Sequence, residues 1–157
     1  VFKINKTNYN SIISELPHLI CDLEYEVTIL SNASALLNEH LDIINWVGFY
    51  LLKDNKLILG PFQGKPACTT IPLNKGVCGA CATNEATIIV DNVHEFKGHI
   101  ACDSASNSEI CIPIFKDNKF YGLLDIDSPI INRFNNEDKT YLEAVVKIIE
   151  KALISAK

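Results

Sequence analysis

Cysteine, histidine and carboxylate side chains gather in the stretch from Gly60 to Asp127, centred on Gly98-His99-Ile100-Ala101-Cys102-Asp103. Cys68, Cys78, Cys81, Cys102 and Cys111 all fall here, most of them among Gly, Pro, Asn and Asp rather than in hydrophobic runs. Two carboxylates, Asp125 and Asp127, follow two residues apart in an otherwise apolar segment. Thiols on loops with acids nearby point to redox chemistry. The reactive form of cysteine is the thiolate, and a free thiol with a pKa of about 8.5 is mostly protonated at neutral pH. Cys102 has His99 before it, whose imidazolium would favour the thiolate, and Asp103 after it, which would oppose it. A hydrogen-bonded loop histidine is the plainer reading of His99.

Cys78-Gly79-Ala80-Cys81 is a C-x-x-C, a redox pair or half of a zinc site. His94, His99 and Cys102 make no recognised second half, so a metal is not expected. Cys81, Cys111 and Cys21 read as small core residues. On one face of the last strand, alternation places Tyr121, Leu123, Asp125 and Asp127. Two acids side by side on an apolar strand repel unless a cation or a proton lies between them, and a ligand ammonium group would satisfy Asp125. Trp46 and Tyr50 are either an aromatic wall or simple core.

These residues need a scaffold, and 157 residues suffice for a single domain, 1–157, with a substantial core. Hydrophobic residues at 48% and charged residues at 21% exclude a disordered chain. A net charge of −5 without a Lys/Arg cluster argues against nucleic acid. There is no apolar run of the ~20 residues a span needs and no signal-like start, so a cytoplasmic protein with reduced thiols and no membrane partner is expected. Apolar spacing predicts helices over about 8–18 and 23–41, the second burying Leu23, Val27, Leu30, Leu37 and Leu41. A hairpin is expected from Trp46 to Leu59, ended by Gly60-Pro61, with a polar loop over 61–67 delivering Cys68. A short strand over 69–73, a short helix over 77–83 and a strand over 86–90 follow. The long aperiodic stretch 91–107 reads as the active-site loop. A second hairpin pairs 109–115 with 120–127, and Asn135 caps a last helix burying Leu142, Val145, Ile149 and Leu153. Helices at both ends with antiparallel hairpins between them give an α+β fold.

Asn45-Trp46-Val47-Gly48-Phe49-Tyr50, Gly60-Pro61-Phe62-Gln63-Gly64-Lys65-Pro66-Ala67-Cys68, Lys75-Gly76-Val77-Cys78-Gly79, Gly98-His99-Ile100-Ala101-Cys102-Asp103 and Ser108-Glu109-Ile110 together resemble the free methionine-(R)-sulfoxide reductases, which are single GAF-domain enzymes. The resemblance implies a six-stranded antiparallel sheet with helices packed on one side and a ligand pocket under loops on the other. It implies reduction of free methionine (R)-sulfoxide without a cofactor, through a cysteine sulfenic acid and an intramolecular disulfide that thioredoxin reduces. Carried over, Cys102 attacks and Cys68 closes the disulfide, while Cys78 exchanges with either or shares the attack. Glu109 or Asp127 would protonate the departing oxygen, and Trp46, Tyr50 and Asp125 would bind substrate. A homodimer is compatible with the fold. The alternative is a non-catalytic domain that senses a small ligand or redox state. One tension remains in the residues: a plain four-residue loop at 116–119 pairs Phe115 with Phe120 and turns Glu109 away from Asp125 and Asp127, unless a bulge intervenes.

Overall fold

The computed structural model describes residues 4–99 and 105–157. Helices α1 (Tyr9–Ile20) and α2 (Glu26–His40) precede strands β1 (Trp46–Lys53), β2 (Lys56–Gly64) and β3 (Thr70–Pro72). Then come α3 (Gly76–Asn84), β4 (Ile88–Val90), a 3-10 turn at Val93–Glu95, β5 (Ser108–Lys116), β6 (Lys119–Ser128) and α4 (Asn136–Leu153). The strands form one sheet of six in the order β3-β2-β1-β6-β5-β4, every neighbouring pair antiparallel.

The central strands are apolar on both faces because both are covered. On one, Val47, Phe49, Ile110, Ile112, Leu124 and Ile126 pack against α1, α2 and α4. On the other, Trp46, Tyr50, Leu57, Cys111 and Leu123 meet Val77, Cys78 and Cys81 of α3. The expected helical layer is therefore α1, α2 and α4, while α3 shares the pocket side.

The helices follow their stripes. Asn8 caps α1 by accepting from the Ser11 N–H, and Ile12, Leu16 and Ile20 recur every four residues on its buried face. Asn135 and Asp138 close a reciprocal capping box on α4, whose Leu142, Val145, Ile149 and Leu153 are all buried. In α2 the buried stripe is Ile29, Leu30, Ala33, Leu36 and Leu37. Val27, expected inside, is 60% exposed, because the helix starts only at Glu26 and its first turn faces outward. Leu23 precedes the helix and is half-buried, and Cys21, expected in the core, is exposed at the end of α1.

Both hairpins turn through two residues with positive φ, Asp54-Asn55 and Asp117-Asn118, the conformation that matches the twist of the flanking strands. The second turn is thus two residues shorter than the 116–119 loop expected, since Lys116 pairs Lys119. Each hairpin also carries an irregularity. In β2, Gly48 pairs Phe62 while Tyr50 pairs Leu59, so an additional residue is accommodated around Gly60-Pro61 and the strand runs on to Gly64. A bulge tolerates the proline's missing N–H, so Gly60-Pro61 does not end the strand. In β6, Phe120 pairs Phe115 but Gly122 pairs Ile114, leaving Tyr121 unpaired. Tyr121 consequently packs on the helical side, its hydroxyl donating to Glu26 at 2.7 Å, and not on the face of Asp125 and Asp127.

A Cβ on Gly48 would lie 2.3 Å from Phe62 Cβ and 2.8 Å from Trp46 Cη2. Gly48→Ala must push β2 away from β1, and we expect a loss of about 1–3 kcal/mol of stability in urea unfolding, the usual range for overpacking.

Candidate active site

The bulge at Tyr121 restores the register that a plain hairpin would lose. Beyond it Glu109 pairs Asp127 and Cys111 pairs Asp125. Across β6, Asp127 pairs Trp46, Asp125 pairs Gly48 and Leu123 pairs Tyr50. Residues directly opposite in a sheet share a face. Glu109, Cys111, Asp125, Asp127, Trp46 and Tyr50 therefore all point to the α3 side. There a cavity is lined by Trp46, Tyr50, Cys78, Glu109, Asp125 and Asp127, with His99 and Ser106 at its loop edge.

One wall is aromatic. Trp46 stacks on Phe62 with centroids 5.2 Å apart and on Tyr50 at 6.0 Å. Its indole N–H donates to the Lys65 carbonyl at 3.1 Å, and the Tyr50 hydroxyl donates to the Cys68 carbonyl at 2.8 Å. The two rings thus hold the segment that carries Cys68. Another rim comes from the described parts of the 91–107 stretch, through His99 and Ser106. Val93 N–H donates to Asn107 O and Asn107 N–H to Ser128 O, fixing it to β6, while Gly76 N–H donates to Gly98 O and ties it to α3. Gly76 makes that approach at φ +70°, a backbone region that glycine enters without strain.

The floor is acidic and nearly dry. Glu109 and Asp125 are 7% and 5% exposed and hydrogen-bond to each other. Burial, then the charges of Asp125 and Asp127, push the Glu109 carboxyl well above the usual carboxylate range. Burial also raises Asp125, against the hydrogen bonds from Glu109, Cys111 and Cys78 that favour its charged form. The pair therefore holds a proton, with Glu109 as donor and Asp125 as acceptor. Cys111 Sγ lies 3.2 Å from Asp125 Oδ1 and 3.6 Å from both Glu109 Oε2 and Cys78 Sγ. The neighbouring Cys111 thiol favours a Cys78 thiolate, but burial and the charges of Asp125 and Asp127 prevail and push the Cys78 thiol up to about 12. Burial raises Cys111 and Cys81 as well. Burial lowers His99, so its imidazole is neutral at pH 7 and offers no cation to a neighbouring thiol.

The structure gathers Trp46, Tyr50, Cys78, Glu109, Asp125 and Asp127 into one site, with Cys68 packed beside it and disulfide-bonded. Cys102 lies outside the described residues. Cys78 lies in the short helix expected there, as a free thiol buried in α3. The C-x-x-C is not a facing pair, since Cys81 packs into the apolar cluster and the sulfur against Cys78 is that of Cys111. Cys111, read as plain core, is buried but belongs to the acidic floor. The signal was present in its spacing, two residues after Glu109 in a strand and so on the same face. His94 bonds Asn107 Oδ1 at 2.8 Å and meets the His99 ring edge-on at 6.5 Å, a loop-holding role.

The GAF domain family model matches residues 25–153. The free methionine-R-sulfoxide reductase of Escherichia coli (strain K12) is 52% identical over 124 residues, covering 79% of this chain and 75% of that protein. Its namesake in Saccharomyces cerevisiae (strain ATCC 204508 / S288c) is 46% identical over 133 residues, covering 80% and 74%. Among solved structures, the substrate complex of the Staphylococcus aureus protein fRMsr superposes with a TM-score of 0.92 at 58% identity, over 97% of this chain and 99% of that one. The fold and this site thus define a GAF-domain protein. Within that class, the chain belongs to the free methionine-R-sulfoxide reductase family.

The raised Glu109 carboxyl has a consequence for stability. Unfolded, the group loses its proton near its ordinary value of 4.5; folded, it keeps it to higher pH. The folded state therefore binds the additional proton between those two values, and stability falls as pH rises through that window. Glu109→Gln keeps the shape without the ionisation. Urea unfolding from pH 5 to pH 8 should show the variant gaining on the parent as pH rises, and parallel curves would refute the shared proton.

Proposed function

We propose that this chain reduces free methionine (R)-sulfoxide to methionine. The observation that carries the reading is one pocket holding three carboxyl groups and an aromatic wall, with the disulfide-bonded Cys68 packed beside it. Kinship with reductases of that name, one of them solved with its substrate, supports it.

In this reading the S-methyl end of the substrate lies against Trp46 and Tyr50, where apolar burial and the ring faces favour it. The ammonium group meets Asp125, and its positive charge relieves the repulsion among Asp125, Asp127 and Glu109. A methionine within a polypeptide has no free ammonium and would leave that acid buried and unpaired, which costs a site much more than a missing methylene. Glu109, already protonated, faces the pocket as a general acid, with Asp127 opposite it.

The Cys102 thiolate attacks the sulfoxide sulfur, and Glu109 or Asp127 protonates the oxygen. Oxygen passes to the cysteine sulfur, which becomes a sulfenic acid, and methionine leaves. Cys68 then attacks that sulfur, water departs, and a Cys68–Cys102 disulfide forms. The sum is sulfoxide plus two thiols giving thioether, disulfide and water. Thioredoxin, with a potential of about −270 mV, supplies the two electrons that restore the thiols. The high Cys78 pKa leaves little thiolate at neutral pH, which supports Cys102 over Cys78 as the attacking group.

Reduced protein, thioredoxin, thioredoxin reductase and NADPH, given each sulfoxide epimer separately, test this. NADPH oxidation is expected with the R form alone and is expected to vanish in Cys102→Ser. Asp125→Asn should lower kcat/KM roughly 30-fold or more, as loss of one partner from a buried charge pair does. No turnover with either epimer from a fully reduced start would leave a ligand-binding domain without catalysis.

A further inference from the structure

Among the described residues, Cys78, Glu109, Cys111 and Asp125 place one sulfur or oxygen each within 4.8 Å of one another, and all are buried. The proposed reaction uses only part of this group, and Cys111 has no role in it. The edge lengths are informative. A tetrahedral zinc ion with Zn–S near 2.3 Å and Zn–O near 2.1 Å requires about 3.8 Å between sulfurs and about 3.6 Å between sulfur and oxygen. The structure has 3.6 Å from Cys78 Sγ to Cys111 Sγ, 3.8 Å and 3.6 Å from these sulfurs to Glu109 Oε2, and 3.2 Å from Cys111 Sγ to Asp125 Oδ1. Four of the six edges of a coordination tetrahedron are thus present before any ion enters.

We propose that Cys78, Cys111, Glu109 and Asp125 form a binding site for a thiophilic divalent cation of the zinc class, at the floor of the substrate pocket. Two thiolates with two carboxyl oxygens suit a tetrahedral, borderline-soft ion and not magnesium or calcium, which take oxygen shells of six or more ligands. The two thiolates balance the ion's charge, their protons being released as it binds. The positions come from rigid elements: α3 supplies Cys78, and adjacent paired positions of β5 and β6 supply the others. Because Cys78, Glu109 and Asp125 also line the cavity, a bound ion occupies the place of the substrate's ammonium group. Metal binding itself does not rest on the reductase reading.

Zinc is titrated by calorimetry into the full chain, reduced and freed of reductant without air, and Co2+ is used as a spectroscopic substitute. One equivalent is expected, with a thiolate-to-cobalt charge-transfer band and the visible spectrum of a tetrahedral ion. Cys111→Ser should lose the band and weaken zinc at least by the roughly 10–100-fold that loss of an outer-shell partner costs. Cys111→Val, suited to a buried strand, repeats the measurement should the serine variant not fold. Cys21→Ser and Cys68→Ser should keep both signals. Absence of zinc binding to the reduced parent overturns the proposal. So does an unchanged band in the Cys111 variants or its loss in Cys68→Ser, which would put the ion on other cysteines.

Discussion

One unpaired residue in β6 decides what chemistry the sheet can present. Without Tyr121 as a bulge, the Asp117-Asn118 turn would carry Glu109 and Cys111 to the helical face, into a core of Phe49, Leu124 and Val145. With it, the acids of β5 and β6 meet across adjacent strands, and Tyr121 turns to the helices, where Glu26 accepts its hydroxyl. A register change of one residue reverses every side chain beyond it. The aromatic wall depends on a related compensation in β2, where the irregularity at Gly60-Pro61 lets Phe62 come opposite Gly48 and stack on Trp46.

The site so assembled is unfavourable to itself. The carboxyl groups of Glu109 and Asp125 and the thiols of Cys78 and Cys111 lie close together with little solvent, and burial disfavours the charged form of each of these four. Keeping a proton between Glu109 and Asp125 relieves this in the empty protein. The proposed substrate relieves it with an ammonium group, and the proposed zinc site relieves it with a metal ion. The same electrostatic demand therefore underlies all three proposals, the acid that donates a proton, the selection of a free amino acid and the binding of a thiophilic cation.

Much of this was legible in the sequence. The α4 stripe, the Asn135 cap and both hairpins follow from period and turn chemistry, and the repulsion between Asp125 and Asp127 already called for a cation or a proton. The conflict over Glu109 was visible too, because the hairpin count and the shared pocket could not both hold without a bulge. Which residue would bulge was not readable, since Tyr121 serves alternation as well as any aromatic and reveals its place only through Glu26 of a distant helix. Val27 and Cys21 went wrong because apolar spacing says nothing of where a helix begins or which turn stays uncovered. Cys111 was read as core and is buried there, but its polar neighbours were not legible, because only the pairing with Asp125 brings them to it.

The central claim is that the acidic floor reads a free ammonium group. Trp46, the single tryptophan of the chain, lines the pocket and reports occupancy directly. Its fluorescence should be followed in the Cys102→Ser protein while free methionine (R)-sulfoxide or its N-acetyl derivative is added. The account predicts a saturable change with the free amino acid and an affinity for the acetylated form weaker by roughly 30-fold or more, the cost of leaving a buried acid unpaired. Equal affinity for the two would contradict it, since the carboxyl groups would then have no part in choosing the ligand.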